Sequence, residues 1–300
     1  MKKYRSEKAG RAILESYDRL LSSWACEVKE RDIGTFYGTT HILECGQEDL
    51  PPLVLFHGVG DDSALMWIYN APELSKYFRL YAIDTLGGPG KSMPGEHYGK
   101  GFDNVRWMHE VLDALGIEKA YFAGVSMGGY LVQVYTLRHP ERELKTISIS
   151  GTVPAGGKKS SLAAMMKIFL PEALLPTERN VVKLLRKLSG ENHAVFTENR
   201  EIMDHYRSLL KGFNNRAMGY HQVTAFTPEE VDRIRDKVTY LVGTEDPFEK
   251  IGGREVLERN HMNAVFYEKA GHGLNHERAD EINRKIISVF REESPDGDQR

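Results

Sequence analysis

Cysteine is nearly absent from this chain: Cys26 and Cys45 are the only two in 300 residues, and their spacing fits no metal-ligand pattern. A disulfide-dense secreted scaffold is thereby excluded, a single bridge stays open, and a reducing compartment is expected. No apolar run approaches the length of a membrane-spanning helix, and the basic opening Met1-Lys2-Lys3-Tyr4-Arg5 leads into no apolar leader-type segment. These absences point to a cytoplasmic protein. A basic block is also missing. The 40 Lys and Arg are mixed with 43 Asp and Glu for a formal net charge of −3, so neither nucleic acid nor an anionic membrane is an implied partner. There is no internal repeat and no low-complexity stretch; the polar tail over 292–300 is expected to fray.

What is present is 41% hydrophobic and 28% charged residues, enough for one large α/β domain with an insertion. Helical spacing runs over 10–25, with Ile13, Leu14, Tyr17, Leu20 and Leu21 on one face. Two short strands are expected between Gly34 and Cys45, ending at a turn in 46–49. Leu53-Val54-Leu55-Phe56 is an unbroken apolar run of the kind buried in parallel sheets. A helical pattern then extends to about Lys76, a strand over 79–84, a glycine-rich loop over 87–92 and a helix from about Asp103 to Leu115. Further strands are expected at 120–123, 146–150, 238–242 and 264–267, and a last helix carries Ile282, Ile286, Ile287 and Phe290. Strands alternating with helices imply a mostly parallel sheet covered on both faces, with ligands bound beyond the carboxyl ends of the strands. Between 154 and 235 the alternation lapses into helical patterns alone. We read an inserted helical cap there, with the core domain formed by 1–153 and 236–300. Met165, Met166, Phe169 and Leu170 are its candidate pocket walls.

Gly124-Val125-Ser126-Met127-Gly128 lies between the strand at 120–123 and a helix carrying Tyr130, Leu131, Val134, Tyr135 and Leu137. In a chain with 28 glycines the bare G-x-S-x-G pattern says little; between a strand and a helix it says much more. A serine in so tight a turn needs small residues two places away on each side, and glycine tolerates the dihedrals. The turn lifts the Ser126 hydroxyl above the sheet edge, beside the first helical N–H groups.

A serine hydroxyl attacks poorly unless a base takes its proton, and histidine suits that task. Of eleven histidines, His97, His109, His193, His205, His221 and His261 lie in polar or helical surroundings with no supporting motif. His272 sits between glycines just beyond the last strand. Asp246, one strand earlier, is the candidate carboxylate, with Glu245 as the neighbour that could be confused with it. The order Ser126, Asp246, His272 is the one a strand–elbow–helix architecture requires. Two N–H donors must hold the oxyanion: Met127 at the helix start, and Val59 after His57-Gly58. His57 reads as a residue that positions that loop. His272 and His276 share i, i+4 spacing, but no acidic residue completes a zinc helix, so no metal is expected.

With these residues in place the chain resembles α/β-hydrolase-fold proteins of the capped, cofactor-free esterase kind, over most of residues 33 to 292 and least in the cap. The stretch Ser16-Tyr17-Asp18, Leu20-Leu21, Trp24 and Thr35 to His41 is similar to bacterial carboxylesterase-like hydrolases. One loop departs from the family pattern Asp-x-Pro-Gly-x-Gly-x-Ser: Asp84-Thr85-Leu86-Gly87-Gly88-Pro89-Gly90-Lys91-Ser92 shifts the proline and is one residue longer. The resemblance implies a serine hydrolase of small carboxylic esters that works through an acyl-enzyme and needs no cofactor. Lactonase, thioesterase, peptidase and carbon–carbon bond hydrolase activities share the same residues. A non-catalytic small-ligand-binding protein on this fold is the alternative of another class. Oligomeric state is left open.

Overall fold

The computed structural model describes residues 2–155, 168–169, 172, 174–247 and 253–291. Helix α1 (Glu7–Ser22) starts where the Ser6 hydroxyl accepts the Ala9 N–H at 3.1 Å, and it buries the stripe Gly10, Ile13, Ser16, Tyr17 and Leu20. β1 (Lys29–Thr35) and β2 (Gly38–Cys45) pair antiparallel with Thr35 opposite Gly38. The expected start near Gly34 is corrected to Lys29: β1 is an edge strand, and its charged opening Lys29-Glu30-Arg31-Asp32 faces solvent. After β3 (Pro52–Phe56), the single helix expected up to Lys76 divides into α2 (Ser63–Met66) and α3 (Ala71–Leu74). Pro72 stands in the first turn of α3, where its missing N–H and ring are tolerated; within one continuous helix they would break it.

β4 (Arg79–Ile83), the two-residue β5 (Met93–Pro94), α4 (Asn104–Ala114), β6 (Ala120–Val125), α5 (Met127–Arg138) and β7 (Glu143–Ile149) follow. Then come α6 (Glu178–Leu188), α7 (Ala194–Thr197), α8 (Arg200–Gly212), a 3-10 turn Asn215–Met218 and α9 (Pro228–Ile234). The chain closes with β8 (Val238–Gly243), α10 (Gly253–Arg259), β9 (Asn263–Tyr267), α11 (Leu274–Glu277) and α12 (Ala279–Arg291). The strand order is β1-β2-β4-β3-β6-β7-β8-β9, with β5 on β2, and every pair from β4 to β9 along this path is parallel.

The two-residue period of β3 splits its apolar run between two cores. Leu53 and Leu55 join Ile13, Trp67 and Phe290 on one face; Val54 and Phe56 join Trp107, Leu131 and Tyr135 on the other. Burying each such side chain contributes about 1.5–3 kcal/mol. α5 packs against elements on several sides, which is why its sequence is largely apolar and its buried Gln133 and Thr136 side chains are paired. Gln133 accepts the Tyr240 hydroxyl at 2.8 Å, and Thr136 meets Thr146 at 2.6 Å.

α1 lies against α8, with the Arg5 N–H donating to Gly212 O at 2.9 Å and Ala9 seated where a β-carbon on Gly212 would be. α9 lies against α5, linked by Arg138–Glu230 at 2.8 Å. Of the expected pocket walls, Met165, Met166 and Leu170 fall outside the described residues, and Phe169 is half-buried. Leu174 and Leu175 are exposed. Cys26 and Cys45 are unbridged thiols. No described helix is long and apolar enough to cross a membrane.

Candidate active site

Ser126 joins β6 to α5 with φ 56° and ψ −112°, a conformation that costs a non-glycine residue about 1–3 kcal/mol. Neighbouring contacts hold it there: its N–H donates to Ile149 O at 2.9 Å, and its carbonyl accepts the Tyr130 N–H at 3.2 Å. The flanking glycines are sterically required. A β-carbon on Gly124 would lie 2.2 Å from the Gly128 carbonyl, and one on Gly128 would lie 2.2 Å from Phe56 O. Met127 is the first residue of α5, so its N–H has no partner within the helix.

The loop after β3 reaches the same point. A β-carbon on Gly58 would stand 3.4 Å from the Ser126 β-carbon, which brings the Gly58-Val59 peptide alongside the serine. Val59 is exposed. His57 is fully buried beneath: its Nε2 accepts the Thr85 N–H at 2.9 Å, so Nδ1 carries the proton and donates to Gly58 O at 2.8 Å. Both ring nitrogens are thus committed to scaffolding. Gly60 donates its N–H to the Met218 sulfur at 3.5 Å, which ties this loop to the 3-10 turn Asn215–Met218.

On the other side, His272 Nδ1 meets Asp246 Oδ2 at 2.7 Å. Asp246 is buried, and His272 is only partly exposed. Glu245, the rival carboxylate, is exposed and contributes its backbone, its N–H donating to Ala270 O at 2.9 Å. His276 turns away to Leu65 O at 2.9 Å, and its ring packs on Phe196 and Tyr69. Burial pushes its pKa down to about 4, against the pull of the Leu65 carbonyl. Among the described residues no three His, Cys, Asp or Glu side chains converge as a metal site.

Two groups escaped the sequence reading. Asp84, in the loop that departs from the family pattern, is fully buried and spans two turns: Oδ1 accepts the Ser63 N–H at 2.9 Å and Oδ2 the Lys91 N–H at 2.7 Å. A β-carbon on Gly90 would fall 2.1 Å from that carboxylate, so the glycine leaves room for Asp84 directly.

The second group centres on His205, which lies in a helix as expected but with partners that the sequence does not show. His205 is fully buried, with Nε2 on Asp62 Oδ2 at 2.7 Å and Nδ1 on Ser16 Oγ at 2.7 Å. Burial opposes ionisation of Asp62, but the charge and hydrogen bond of His205, with the Leu65 N–H, outweigh it and hold the carboxyl below its usual range. A signal did exist: His205 lies between Ile202 and Leu209 on the apolar stripe of α8, where a polar side chain needs a partner. His221 is likewise buried, with Nε2 2.7 Å from Leu86 O.

A family model described as the alpha/beta hydrolase fold matches residues 51–279. The chain is 29% identical over 293 residues to carboxylesterase YbfK of Bacillus subtilis (strain 168), covering 94% of this chain and 95% of that protein. It is 29% identical over 295 residues to the uncharacterized carboxylesterase nap of the same organism, covering 93% and 92%. The crystal structure of carboxylesterase CesB (YbfK) from Bacillus subtilis superposes with a TM-score of 0.80 at 26% identity, over 96% of this chain and 100% of that one. With the family model matched across most of its length and the elbow, sheet order and loops arranged as described, this chain belongs to the α/β-hydrolase fold family.

Proposed function

We propose that the chain is a serine carboxylesterase acting on small esters through an acyl-enzyme. Ser126 Oγ attacks the ester carbonyl. His272, oriented through Nδ1 by Asp246, takes the serine proton at Nε2 and returns it to the leaving alcohol. The Val59 and Met127 N–H groups hold the oxyanion, and water then releases the acid. The observation that carries this reading is the strained Ser126 elbow with the Gly58-Val59 peptide against it. The carboxylesterases YbfK and nap, similar over nearly the whole chain, add support for an ester as substrate. We place an inserted cap at 154–235, over the edge of the sheet where these loops meet. The two unbridged thiols favour a cytoplasmic setting. No cofactor, nucleic acid or membrane enters the scheme.

The test is hydrolysis of p-nitrophenyl acetate, butyrate, octanoate and palmitate by wild type and Ser126→Ala. Ser126-dependent turnover, best with short chains, is the expected result. Turnover that survives the substitution overturns the assignment. No turnover, with fluorophosphonate labelling of Ser126 intact, rejects the simple ester and leaves a lactone, thioester, amide or carbon–carbon bond as the target. Loss of labelling in a folded sample points to a ligand-binding protein.

A further inference from the structure

The loop that carries His272 is gripped from both sides by backbone. On the Asp246 side, the Glu245 N–H donates to Ala270 O at 2.9 Å and the Thr244 N–H to Tyr267 O at 3.0 Å. On the other side, the segment that leaves α6 runs along the loop: the His272 N–H donates to Leu188 O at 2.6 Å, and the Glu191 N–H to Lys269 O at 2.9 Å. The approach is close because glycine faces it from both strands of this seam. A β-carbon on Gly190 would lie 1.9 Å from Lys269 O, and one on Gly271 would lie 2.5 Å from Leu188 O.

Across the seam lies a single buried carboxylate. Glu277 Oε1 accepts the Gly271 N–H at 3.0 Å, and Oε2 accepts the Gly190 N–H at 2.7 Å. One oxygen therefore serves the residue before His272 and the other serves the segment from the cap. Asn192 fastens the base of the same group, donating its side-chain N–H to Glu277 O at 2.8 Å.

We propose that Glu277 is a positioning residue that clamps the His272 loop to the Leu188–Asn192 segment, so that the seating of the cap sets the placement of the base. The inference rests on the reading of Ser126 and His272 as nucleophile and base. A carboxylate is suited to the task because both oxygens accept; an amide of the same shape turns one end into a donor that faces an N–H. Losing one anchor lets the imidazole shift relative to Ser126, and misplacement on the order of 1 Å costs about a hundredfold in rate.

The experiment compares wild type, Glu277→Gln and Asn192→Ala on p-nitrophenyl butyrate, with competent serines counted by fluorophosphonate titration and folding followed by thermal melts. The expected result for Glu277→Gln is a fall in kcat per titrated serine of roughly 10- to 100-fold, with KM within about twofold and slower fluorophosphonate inactivation. A kcat per titrated serine within about twofold of wild type, with only the melting temperature lowered, overturns the proposal and leaves Glu277 a purely structural role. Should Glu277→Gln not fold, Asn192→Ala decides: a smaller fall in kcat at constant KM supports the clamp, and an unchanged kcat overturns it. Ser126→Ala separates the two levels. If it retains turnover, the reading of the site fails; if it is inactive while both clamp variants keep full kcat, only the clamp fails.

Discussion

Two Ser, His and Asp groups among the described residues, one proposed to be catalytic and one buried, differ in almost everything except composition. Asp246 meets His272 in the loops after β8 and β9, with Ser126 on the turn after β6; Ser16, His205 and Asp62 meet inside the protein between α1, α8 and the turn before α2. In the first set the carboxylate holds His272 at Nδ1, the serine sits on a strained elbow, and the imidazole is partly exposed. In the second the carboxylate takes Nε2, and Ser16 lies in a regular helix donating its hydroxyl to Ile13 O at 2.8 Å. Ser16 Oγ also lies 2.7 Å from His205 Nδ1, so both ring nitrogens are taken up by buried partners. A proton already spent on a carbonyl cannot be passed to a base, and no substrate reaches a side chain with almost no exposure. The lesson is that identity and proximity make a network; strain, access and the direction of each hydrogen bond make a reactive one.

This contrast can be broken at either end. The largest effect is expected from Asp246→Asn, which leaves the shape but spoils the His272 tautomer; kcat should fall by roughly 10⁴ with the melting temperature nearly unchanged. Asp246→Asn turning over like wild type would remove Asp246 from the mechanism. His205→Ala should do the reverse, lowering unfolding free energy by about 3–5 kcal/mol in urea titrations because Asp62 is left buried and unpaired. A loss below about 1 kcal/mol would mean that the buried pair contributes little.

His276 offers a smaller, pH-dependent test. Its folded pKa is pushed down to about 4 by burial, while the unfolded ring titrates near its ordinary value. Between those values the unfolded state holds the extra proton. The stability from the neutral ring is thus complete above about pH 6.5 and is lost at about 1.4 kcal/mol per pH unit as pH falls toward 4. Urea midpoints measured across that window should show a shallower slope for His276→Gln; identical slopes would reject His276 as a source of acid sensitivity. Smallest of all, Ser16→Ala should cost about 1 kcal/mol of stability and leave kcat per folded molecule unchanged. A drop in kcat there would mean that the buried set feeds into the chemistry.

Legibility in the sequence followed the range of the interactions. The Ser126 elbow could be read because its cause is local: a strand pattern, a helix pattern and glycines at fixed offsets, each needed to avoid contacts near 2.2 Å. β3 was equally plain, since a strand buried on both faces must be apolar throughout. The start of β1 is hidden in the sequence because an edge strand shows solvent most of its side chains. Asp84 and Glu277 are not legible as anchors because their partners are backbone N–H groups, and those leave no trace in side-chain identity.

By itself, then, the sequence determined the alternation of strands and helices, the Ser126 turn and the order of the residues proposed to serve it, because hydrophobic period and glycine sterics act within a few residues. Only the tertiary structure decided that Asp246 rather than Glu245 meets His272, that His205 is a buried structural partner, and that the segment after α6 lies against the His272 loop. Those outcomes depend on distances between segments tens to hundreds of residues apart, where burial and hydrogen-bond direction, and not residue type, set the role.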